Sequence, residues 1–168
     1  GLFRGRVINS PEGLLVRPTG ARTREAVFNI LQDVSGFSVL DLFSGSGIMG
    51  IEAISRGASS VVAVENNRKQ AISLRNNYRK LQIENNLTLW ERDVLSLEFS
   101  HEKKTFDLIY ADPPFTETYP DLRKFLDFLS PDGVAIFECP SRAIPEWALE
   151  GKVRRYGESS LAFFWKDS

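Results

Sequence analysis

Residues 112–115, Asp-Pro-Pro-Phe, bring together the groups that could activate an amino group on a nucleobase. Such an amine is a poor nucleophile because its lone pair is delocalised into the ring. If the Asp112 carboxylate and the Pro113 carbonyl each accept a hydrogen bond from the amine, its nitrogen is drawn towards tetrahedral geometry. Pro113 and Pro114 stiffen the loop, and stacking of Phe115 on the base would contribute about 1 to 3 kcal/mol. The alternative is a purely structural role, in which the segment is a rigid proline turn with a buried phenylalanine.

A second motif, in residues 38–50, joins an apolar run to a helical pattern through a glycine-rich turn. Gly45, Gly47 and Gly50 have the spacing G-x-G-x-x-G. This spacing lets the backbone approach a ligand closely while the following helix presents free N–H groups. A nucleotide-like ligand fits such a turn, although glycines also collect in turns that bind nothing.

The acid Glu65 ends a second apolar strand, which we predict over residues 61–65. An acid at the tip of this strand can accept hydrogen bonds from both ribose hydroxyls of a nucleoside. The alternative is a solvated carboxylate at a strand end. NAD and S-adenosylmethionine share this geometry, but a dehydrogenase has no use for the loop at 112–115. That loop follows an apolar strand predicted over residues 106–111, so the pair of motifs favours S-adenosylmethionine.

A third strand, predicted over residues 87–91, is followed by Asp93 and Val94. An acid in this place could receive the exocyclic amine of an adenine, with Val94 or Leu95 against the ring. Asp93 could equally cap the turn that follows, because a short acceptor side chain satisfies free backbone N–H groups.

Alternating strand and helix patterns predict a doubly wound, Rossmann-like α/β fold with a seven-stranded, mostly parallel sheet and one antiparallel edge strand. Right-handed crossovers then bring Asp41, the glycine turn, Glu65, Asp93 and Asp112 to the carboxyl ends of the strands. The predicted helices span residues 22–34, 48–56, 68–81 and 119–129, and the later strands span 133–138, 152–156 and 161–165.

The 168 residues are 42% hydrophobic, which suits one globular domain over residues 1–168. Within it we predict an amino-terminal β-hairpin extension over 1–20 and a Rossmann-like core over 21–168. Cys139 and His101 are the only residues of their types, so we expect no disulfide, metal site or Ser-His-Asp chemistry. No apolar run approaches the ~20 residues that span a bilayer, and we expect a cytoplasmic monomer.

Positive charge is concentrated at the start of the chain, where residues 1–24 hold five arginines and one acid, Glu12. Such a cluster in a chain of net charge −1 suits phosphate groups. Arg22 and Arg24 fall in the first turn of a predicted helix, where a cation is disfavoured by about 0.3 to 1 kcal/mol. They either point into water near Glu25 or hold an anion at the helix end. The five arginines are Arg4, Arg6, Arg17, Arg22 and Arg24.

Taken together, these residues give a sequence that resembles the RsmD-type bacterial 16S ribosomal RNA guanine-N2 methyltransferases, which are Rossmann-like S-adenosylmethionine-dependent enzymes. The resemblance covers nearly the whole chain. The segments that carry it are Arg4-Gly5-Arg6, Arg17-Pro18-Thr19, Arg24-Glu25-Ala26-Val27-Phe28-Asn29, Asp41-Leu42-Phe43-Ser44-Gly45-Ser46-Gly47, Gly50-Ile51-Glu52-Ala53, Ser55-Arg56-Gly57-Ala58, Asp112-Pro113-Pro114-Phe115 and Tyr156-Gly157.

The resemblance implies methyl transfer from S-adenosylmethionine to the N2 amine of a guanine in a splayed loop of small-subunit ribosomal RNA. The implied cofactor contacts are Thr19, Asp41, Phe43, Ser44, Gly45, Ser46, Gly47, Glu65, Asn66, Asp93, Val94 and Asp112. The implied catalytic residues are Asp112, Pro113, Pro114 and Phe115. The implied substrate contacts are Arg4, Arg6, Arg17, Arg22, Arg24 and Phe115.

The residues alone leave the acceptor open. Asp-Pro-Pro-aromatic loops also serve methylation of adenine N6 and cytosine N4, on another RNA or on DNA. A nicotinamide-dependent oxidoreductase would use the glycine turn and Glu65 to bind its cofactor, but residues 112–115 would have no role in it. A non-catalytic RNA-binding module with the same fold would bind RNA without transferring a methyl group.

Overall fold

The computed structural model describes Leu2 and residues 20–98, 104–114 and 118–166. The predicted amino-terminal hairpin, with Arg4, Arg6, Arg17 and Thr19, lies outside the described residues, as does Phe115.

Within the described residues, seven strands form one sheet with the order β3-β2-β1-β4-β5-β7-β6. The strands are β1 (Ser38–Leu42), β2 (Ser60–Val64), β3 (Leu87–Trp90), β4 (Phe106–Ala111), β5 (Leu129–Pro140), β6 (Lys152–Tyr156) and β7 (Ser159–Trp165). The α-helices are α1 (Ala21–Leu31), α2 (Ile48–Ser55) and α3 (Arg68–Lys80). Short 3-10 helices cover Glu84–Asn86, Val94–Ser96, Arg123–Phe128 and Glu146–Glu150.

The sheet is covered on both faces, as the predicted doubly wound α/β fold requires. Its central strands are rich in valine, leucine and isoleucine and are buried along most of their length, which is typical of parallel strands. On one face the core includes Phe28 of α1, Ile51 of α2 and Leu74 of α3. On the other face it includes Leu122 and Phe125, close to the start of β5. The fold class predicted from the sequence is therefore confirmed.

The antiparallel strand is not at the edge of the sheet, so that part of the prediction is wrong. Strand β7 pairs antiparallel with both β5 and β6 and lies between them. The reason is burial: Leu161 and Ala162 of β7 are fully buried, whereas Lys152 and Arg154 of β6 are exposed. Charged residues suit an edge strand because they discourage pairing with other chains.

The helix predicted over residues 119–129 is also wrong, because this segment forms only the 3-10 helix Arg123–Phe128. The Asp121 carboxylate accepts a hydrogen bond of 3.0 Å from the backbone N–H of Arg123, which starts this short turn. Strand β5 begins directly afterwards at Leu129, so little chain remains for a longer helix. The buried side chains of Leu122 and Phe125 are three residues apart, a spacing that a 3-10 helix satisfies.

Throughout the described part of the chain, every helix is too short or too polar to cross a membrane.

Candidate active site

Five neighbouring strands reach the same level at one edge of the sheet, which we call the carboxyl edge. The register pairs Leu42 of β1 with Val64 of β2 and with Ala111 of β4. Val64 in turn pairs with Trp90 of β3, and Ala111 pairs with Phe137 of β5. The residues that come next along these strands are Phe43, Glu65, Glu91, Asp112 and Glu138. The topology therefore brings the predicted glycine turn, Glu65 and Asp112 to adjacent strands, as the sequence predicted.

The turn after β1 has a tightly defined backbone. Phe43, Gly45 and Gly47 have φ angles of 55°, 57° and 85°, in the left-handed region that residues other than glycine rarely adopt. The backbone N–H of Ser44 donates to the carbonyl of Val64 (3.0 Å). The buried amide of Asn77, in α3, donates to the carbonyl of Ser46 (3.0 Å). The turn is thus fixed to both β2 and α3.

The three glycines of the motif have different roles. A Cβ atom on Gly50 would overlap the Tyr78 hydroxyl and lie 2.9 Å from Cγ1 of Val61, and one on Gly47 would lie 2.9 Å from Cγ of Leu74. These two glycines are needed for close packing of α2 against α3 and β2. A Cβ atom on Gly45 would have no neighbour within 4 Å. Gly45 is therefore the glycine that borders open space, where a ligand could approach.

The carboxylate of Asp41 lies beneath this turn and is only 2% exposed. Its Oδ2 atom has no hydrogen-bond partner within the described residues. Burial, with a smaller contribution from the nearby charge of Glu65, raises the pKa of Asp41 to about 7, although hydrogen bonds from Ser44 and from the backbone of Gly50 oppose the shift. Asp41 is thus a buried acid that can change charge near neutral pH.

Two more buried oxygens near the turn have no partner in the described part of the chain. They are Oε1 of Gln70 and the hydroxyl of Tyr78, both on α3. Burial, with a smaller contribution from the charge of Asp41, holds the pKa of Tyr78 well above its ordinary value. Tyr78 is therefore a neutral hydroxyl beside the acid. Sequence reasoning singled out neither Tyr78 nor Gln70 as a site residue.

Glu65 faces the glycine turn and already accepts two backbone hydrogen bonds. Its Oε1 accepts from the N–H of Gly45 and its Oε2 from the N–H of Asn67, each at 2.8 Å. Each carboxylate oxygen can accept a further hydrogen bond. These contacts therefore orient Glu65 and leave it able to accept hydrogen bonds from a ligand. The neighbouring Asn66 is exposed at the same strand end.

Asp93 has the capping role that the sequence left open. Its Oδ1 accepts a hydrogen bond of 3.0 Å from the backbone N–H of Leu95 and so caps the 3-10 helix Val94–Ser96. The side chain of Val94 is buried in the core, whereas that of Leu95 is 52% exposed. Of the two apolar neighbours, Leu95 is the one available to a ligand.

The first residues of the Asp-Pro-Pro-Phe loop leave the sheet directly after β4. Asp112 is half-buried, Pro113 is buried and Pro114 is exposed. Because Leu42 and Ala111 are paired, Asp112 emerges on the strand next to the glycine turn. A substrate held by this loop would therefore lie beside a ligand held by the glycine turn.

Sequence reasoning missed Glu138, which lies on the strand next to Asp112. Glu138 is 1% exposed, and its carboxylate accepts a hydrogen bond from the hydroxyl of Tyr110. Burial raises the pKa of Tyr110 well above its usual value, and the charges of Glu138, Asp112 and Asp41 raise it further. The hydroxyl of Tyr119 donates to the backbone carbonyl of Glu138 (2.5 Å). One signal was present in the sequence, since Glu138 is an acid within an otherwise apolar strand.

The predicted arginines of α1 lie beside a different part of the carboxyl edge. Arg22 is exposed, and its Nη1 atom lies 3.9 Å from the position that a Cβ atom of Gly157 would take. Gly157 is in the turn between β6 and β7. Arg24 is half-buried. Helix α1 begins at Gly20 without a side-chain cap and without an acid in its first turn.

Comparison with known proteins gives the family. Residues 1–165 match the family described as "Conserved hypothetical protein 95". The chain is 38% identical over 125 residues to ribosomal RNA small subunit methyltransferase D of Haemophilus influenzae, a match covering 68% of this chain and 61% of that protein. It is 34% identical over 117 residues to the Escherichia coli protein of the same name, covering 68% and 58%. The chain thus spans about three fifths of the length of these relatives.

A solved structure has the same fold over nearly the full chain. It is the Escherichia coli protein yhhF, which is provisionally assigned as a methyltransferase. The two structures superpose with a TM-score of 0.81 at 26% sequence identity, covering 99% of this chain and 95% of that chain. As the sequence resemblance predicted, the chain belongs to the conserved hypothetical protein 95 family of RsmD-type, S-adenosylmethionine-dependent methyltransferases.

Proposed function

We propose that this protein transfers a methyl group from S-adenosylmethionine to the exocyclic N2 amine of a guanine in small-subunit ribosomal RNA. The observation that carries the proposal is the pairing of Leu42 with Ala111, because it makes the glycine turn and Asp112 neighbours at the carboxyl edge. A cofactor site and an acceptor site on adjacent strands suit direct group transfer. The names of the relatives from Haemophilus influenzae and Escherichia coli support ribosomal RNA as the substrate class.

The residues around the glycine turn fit S-adenosylmethionine. This cofactor carries an ammonium group and a sulfonium group, and a buried carboxylate oxygen without a partner, Oδ2 of Asp41, is the complement of a cation. The open space beside Gly45 leaves room for a ligand close to the backbone. When bound, S-adenosylmethionine supplies an electrophilic methyl group on its sulfur.

The proposed contacts follow the order of the strands along the carboxyl edge. Asp41 and the turn that follows it hold the methionine end, and Glu65 with Asn66 holds the ribose. Asp93 and Val94 are assigned to the adenine, with the exposed Leu95 proposed beside its ring. Thr19 is proposed to close the site. The turn residues assigned to the methionine end are Phe43, Ser44, Gly45, Ser46 and Gly47.

The proposed acceptor contacts begin at Asp112. Its carboxylate and the carbonyl of Pro113 accept the two hydrogen bonds of the amine, which aims the nitrogen lone pair at the methyl group. Pro114 stiffens the loop and Phe115 stacks on the base. Positioning supplies much of the rate acceleration, because holding both reactants in the correct orientation makes a bimolecular step effectively unimolecular. After transfer, the amine proton leaves towards the Asp112 carboxylate.

The phosphate groups of the RNA are assigned to the arginines. Arg22 and Arg24 lie at a helix amino terminus that lacks an acid, so anionic phosphate would relieve the unfavourable charge there. Arg4, Arg6 and Arg17 complete the proposed set of substrate contacts.

The proposal is tested by incubating the protein with radiolabelled S-adenosylmethionine and unmodified small-subunit RNA, both naked and assembled, with duplex DNA alongside. Labelled N2-methylguanosine is the expected product. Label in N6-methyladenine or N4-methylcytosine would overturn the guanine assignment while keeping the chemistry. Absence of label on every acceptor, together with measurable NAD binding, would overturn methyl transfer.

The residue that separates catalysis from cofactor binding is Asp112. Asp112→Ala should reduce methyl transfer by on the order of a thousandfold, because the variant loses both orientation and charge at the amine. Its affinity for S-adenosylmethionine, measured by calorimetry, should stay close to that of the wild type. Asp127→Ala is the matched control, since Asp127 is an exposed carboxylate of the 3-10 helix Arg123–Phe128. Loss of cofactor binding in Asp112→Ala would show that Asp112 acts chiefly as the cofactor contact that the resemblance also implies, and would overturn its assignment to the methyl acceptor.

A further inference from the structure

We propose that Glu138 is a positioning residue that fixes the chain on both sides of the Asp-Pro-Pro-Phe loop, through the hydroxyl groups of Tyr110 and Tyr119. The inference rests on the proposed function, because it assigns to Glu138 a role in placing the loop that carries the acceptor. Glu138 does not touch the reacting atoms, since it is 1% exposed.

The first attachment is on the amino-terminal side of the loop. Tyr110 is the last residue but one of β4 and precedes Asp112 by two positions. Its ring is buried on the face of the sheet that α1, α2 and α3 cover, and its hydroxyl donates to Oε2 of Glu138. Asp112 therefore leaves the sheet two residues after Tyr110, whose side chain is fixed to β5.

The second attachment is on the carboxyl-terminal side of the loop. Tyr119 follows Asp112 by seven residues, and its hydroxyl donates to the backbone carbonyl of Glu138 (2.5 Å). Its ring packs against Trp147 (5.9 Å between centroids), and Trp147 packs edge-on against Phe137 (5.4 Å). Tyr119 thus contacts the opposite face of the sheet from Tyr110.

A single residue therefore fixes the chain before and after the loop, at Tyr110 through its side chain and at Tyr119 through its main chain. The register supports this arrangement, because Phe137 pairs with Ala111 and Glu138 comes next, beside Asp112. The two ends of the loop are held relative to one point on β5. Any displacement of Glu138 would move both ends, and Asp112 with them.

An acid at this position needs a reason, since a buried carboxylate is costly unless it is hydrogen-bonded. An apolar side chain would fill the same space on β5 as its neighbours Ile136 and Phe137 do. Only an acceptor can fix the Tyr110 hydroxyl, which would otherwise be a buried donor without a partner. The bond to Tyr110 therefore contributes to offsetting the cost of burying the acid.

The main test compares Glu138→Ala with Glu138→Gln. The alanine variant loses the acceptor for Tyr110, and kcat should fall about 100-fold, as expected when a reacting group is displaced by about 1 Å. The glutamine variant keeps a side-chain oxygen that can accept from Tyr110, so its kcat should stay close to that of the wild type. The affinity for S-adenosylmethionine should be preserved in both, because the glycine turn is attached to β2 and α3 instead.

Hydrogen exchange gives a second measurement that does not depend on knowing the methyl acceptor. In Glu138→Ala, which loses the attachment of Tyr110, the amide of Asp112 should exchange faster than in the wild type. In Tyr119→Phe, which loses the attachment to the backbone carbonyl of Glu138, the amides of Thr118 and Tyr119 should exchange faster, while those of α3 are unchanged in both variants. Cys139→Ala is the matched control, because Cys139 is the next residue of β5 and is equally buried. It should alter neither kcat nor the exchange of the loop.

Three outcomes would overturn the proposal. One is a loss of kcat in Glu138→Gln as large as that in Glu138→Ala, which would make the charge the important property. Another is an unchanged exchange rate of the loop amides in Tyr119→Phe. The third is a fall in cofactor affinity that matches the fall in kcat in Glu138→Ala, which would indicate general damage to the fold. If the wild type labels no acceptor, the proposed function fails, but the exchange experiment still decides the role of Glu138.

Discussion

The two halves of the carboxyl edge differ in how they hold their buried tyrosine hydroxyl groups: that of Tyr78 has no partner among the described residues, whereas those of Tyr110 and Tyr119 are both hydrogen-bonded. Around the glycine turn, Asp41, Gln70 and Tyr78 each bury an oxygen that has no partner among the described residues. At the ends of β4 and β5, the hydroxyl groups of Tyr110 and Tyr119 are both bonded to Glu138. These three oxygens have no partner among the described residues, whereas the two tyrosine hydroxyl groups of the other half are fixed to Glu138.

The difference has an energetic meaning. A buried polar group without a partner costs about 1 to 3 kcal/mol of stability, and such costs are tolerated where function needs them. The glycine turn therefore resembles a site that a bound ligand completes. The loop needs no ligand for its two attachments, because the protein itself satisfies them. The following predictions test whether this contrast holds.

The largest effect is expected from Asp41→Asn. The pKa of Asp41 is about 7 in the folded protein, above the ordinary value of 3.8. Between these two values the folded protein keeps the proton while the unfolded chain releases it, so stability falls as the pH rises from about 4 to 7 and then levels off. This contribution amounts to roughly 4 kcal/mol at neutral pH. The variant cannot titrate at this position, so the decrease should be absent from it.

The measurement is urea unfolding of the ligand-free proteins at a series of pH values from 4 to 8. The quantity to follow is the difference between the free energies of unfolding of variant and wild type, which should grow with pH in favour of the variant. Asp132→Asn, at an exposed carboxylate of β5, serves as the control. A difference that does not change with pH would mean that Asp41 is not a strained acid and would break the contrast between the two halves.

A smaller effect is expected when the packing under the turn is disturbed. In Gly50→Ala the new methyl group would overlap the Tyr78 hydroxyl and crowd Val61, and overpacking of this kind costs about 1 to 3 kcal/mol. Thermal unfolding should show the loss, and calorimetry should show weaker binding of S-adenosylmethionine because the turn moves. Gly36→Ala is the control, because a Cβ atom there meets nothing within 4 Å, although φ is +76°.

The two variants separate crowding from backbone strain. If Gly36→Ala weakens cofactor binding as much as Gly50→Ala does, the effect is not local to the turn. If Gly50→Ala leaves cofactor binding unchanged, the turn is held less tightly than its contacts with β2 and α3 suggest.

Much of the fold could be predicted because its signals are local. The valine-rich β2 and the glycine turn can each be recognised within a few residues, and right-handed crossovers then fix which edge they share. The place of β7 could not be predicted in this way. A hairpin pattern does not say which of its two strands pairs with the sheet, and burial of Leu161 against exposure of Arg154 decided it.

The same distinction applies to the candidate site. Asp41 lies near the end of a strand that the sequence marks clearly, and Glu65 and Asp112 directly follow two others, so their meeting at one edge was predictable. The attachment of Tyr110 and Tyr119 to Glu138 joins residues that are 28 and 19 positions apart in the chain. No local pattern encodes such a contact. For Asp93, the sequence allowed two roles, and the geometry of the bond to Leu95 supplied one of them.

The smallest effect is expected from exposed arginines on the surface of the two halves of the carboxyl edge. If the loop half of the sheet receives the RNA, exposed arginines on that side should contribute to its binding and those on the cofactor side should not. Arg22 lies beside the turn between β6 and β7, in the loop half, whereas Arg75 is exposed on α3, which packs against the glycine turn. Arg22→Ala and Arg75→Ala therefore remove the same charge from opposite halves.

Binding of small-subunit RNA should be measured over a range of salt concentrations for both variants. Each phosphate contact in a single strand contributes about 0.7 to the slope of log affinity against log salt, because it releases a counterion. Arg22→Ala should lower the magnitude of the slope by about that amount, and Arg75→Ala should leave it unchanged. Equal changes in the two variants would indicate that RNA is attracted by overall charge alone. A change only in Arg75→Ala would place the RNA on the cofactor half and reverse the assignment of the two halves.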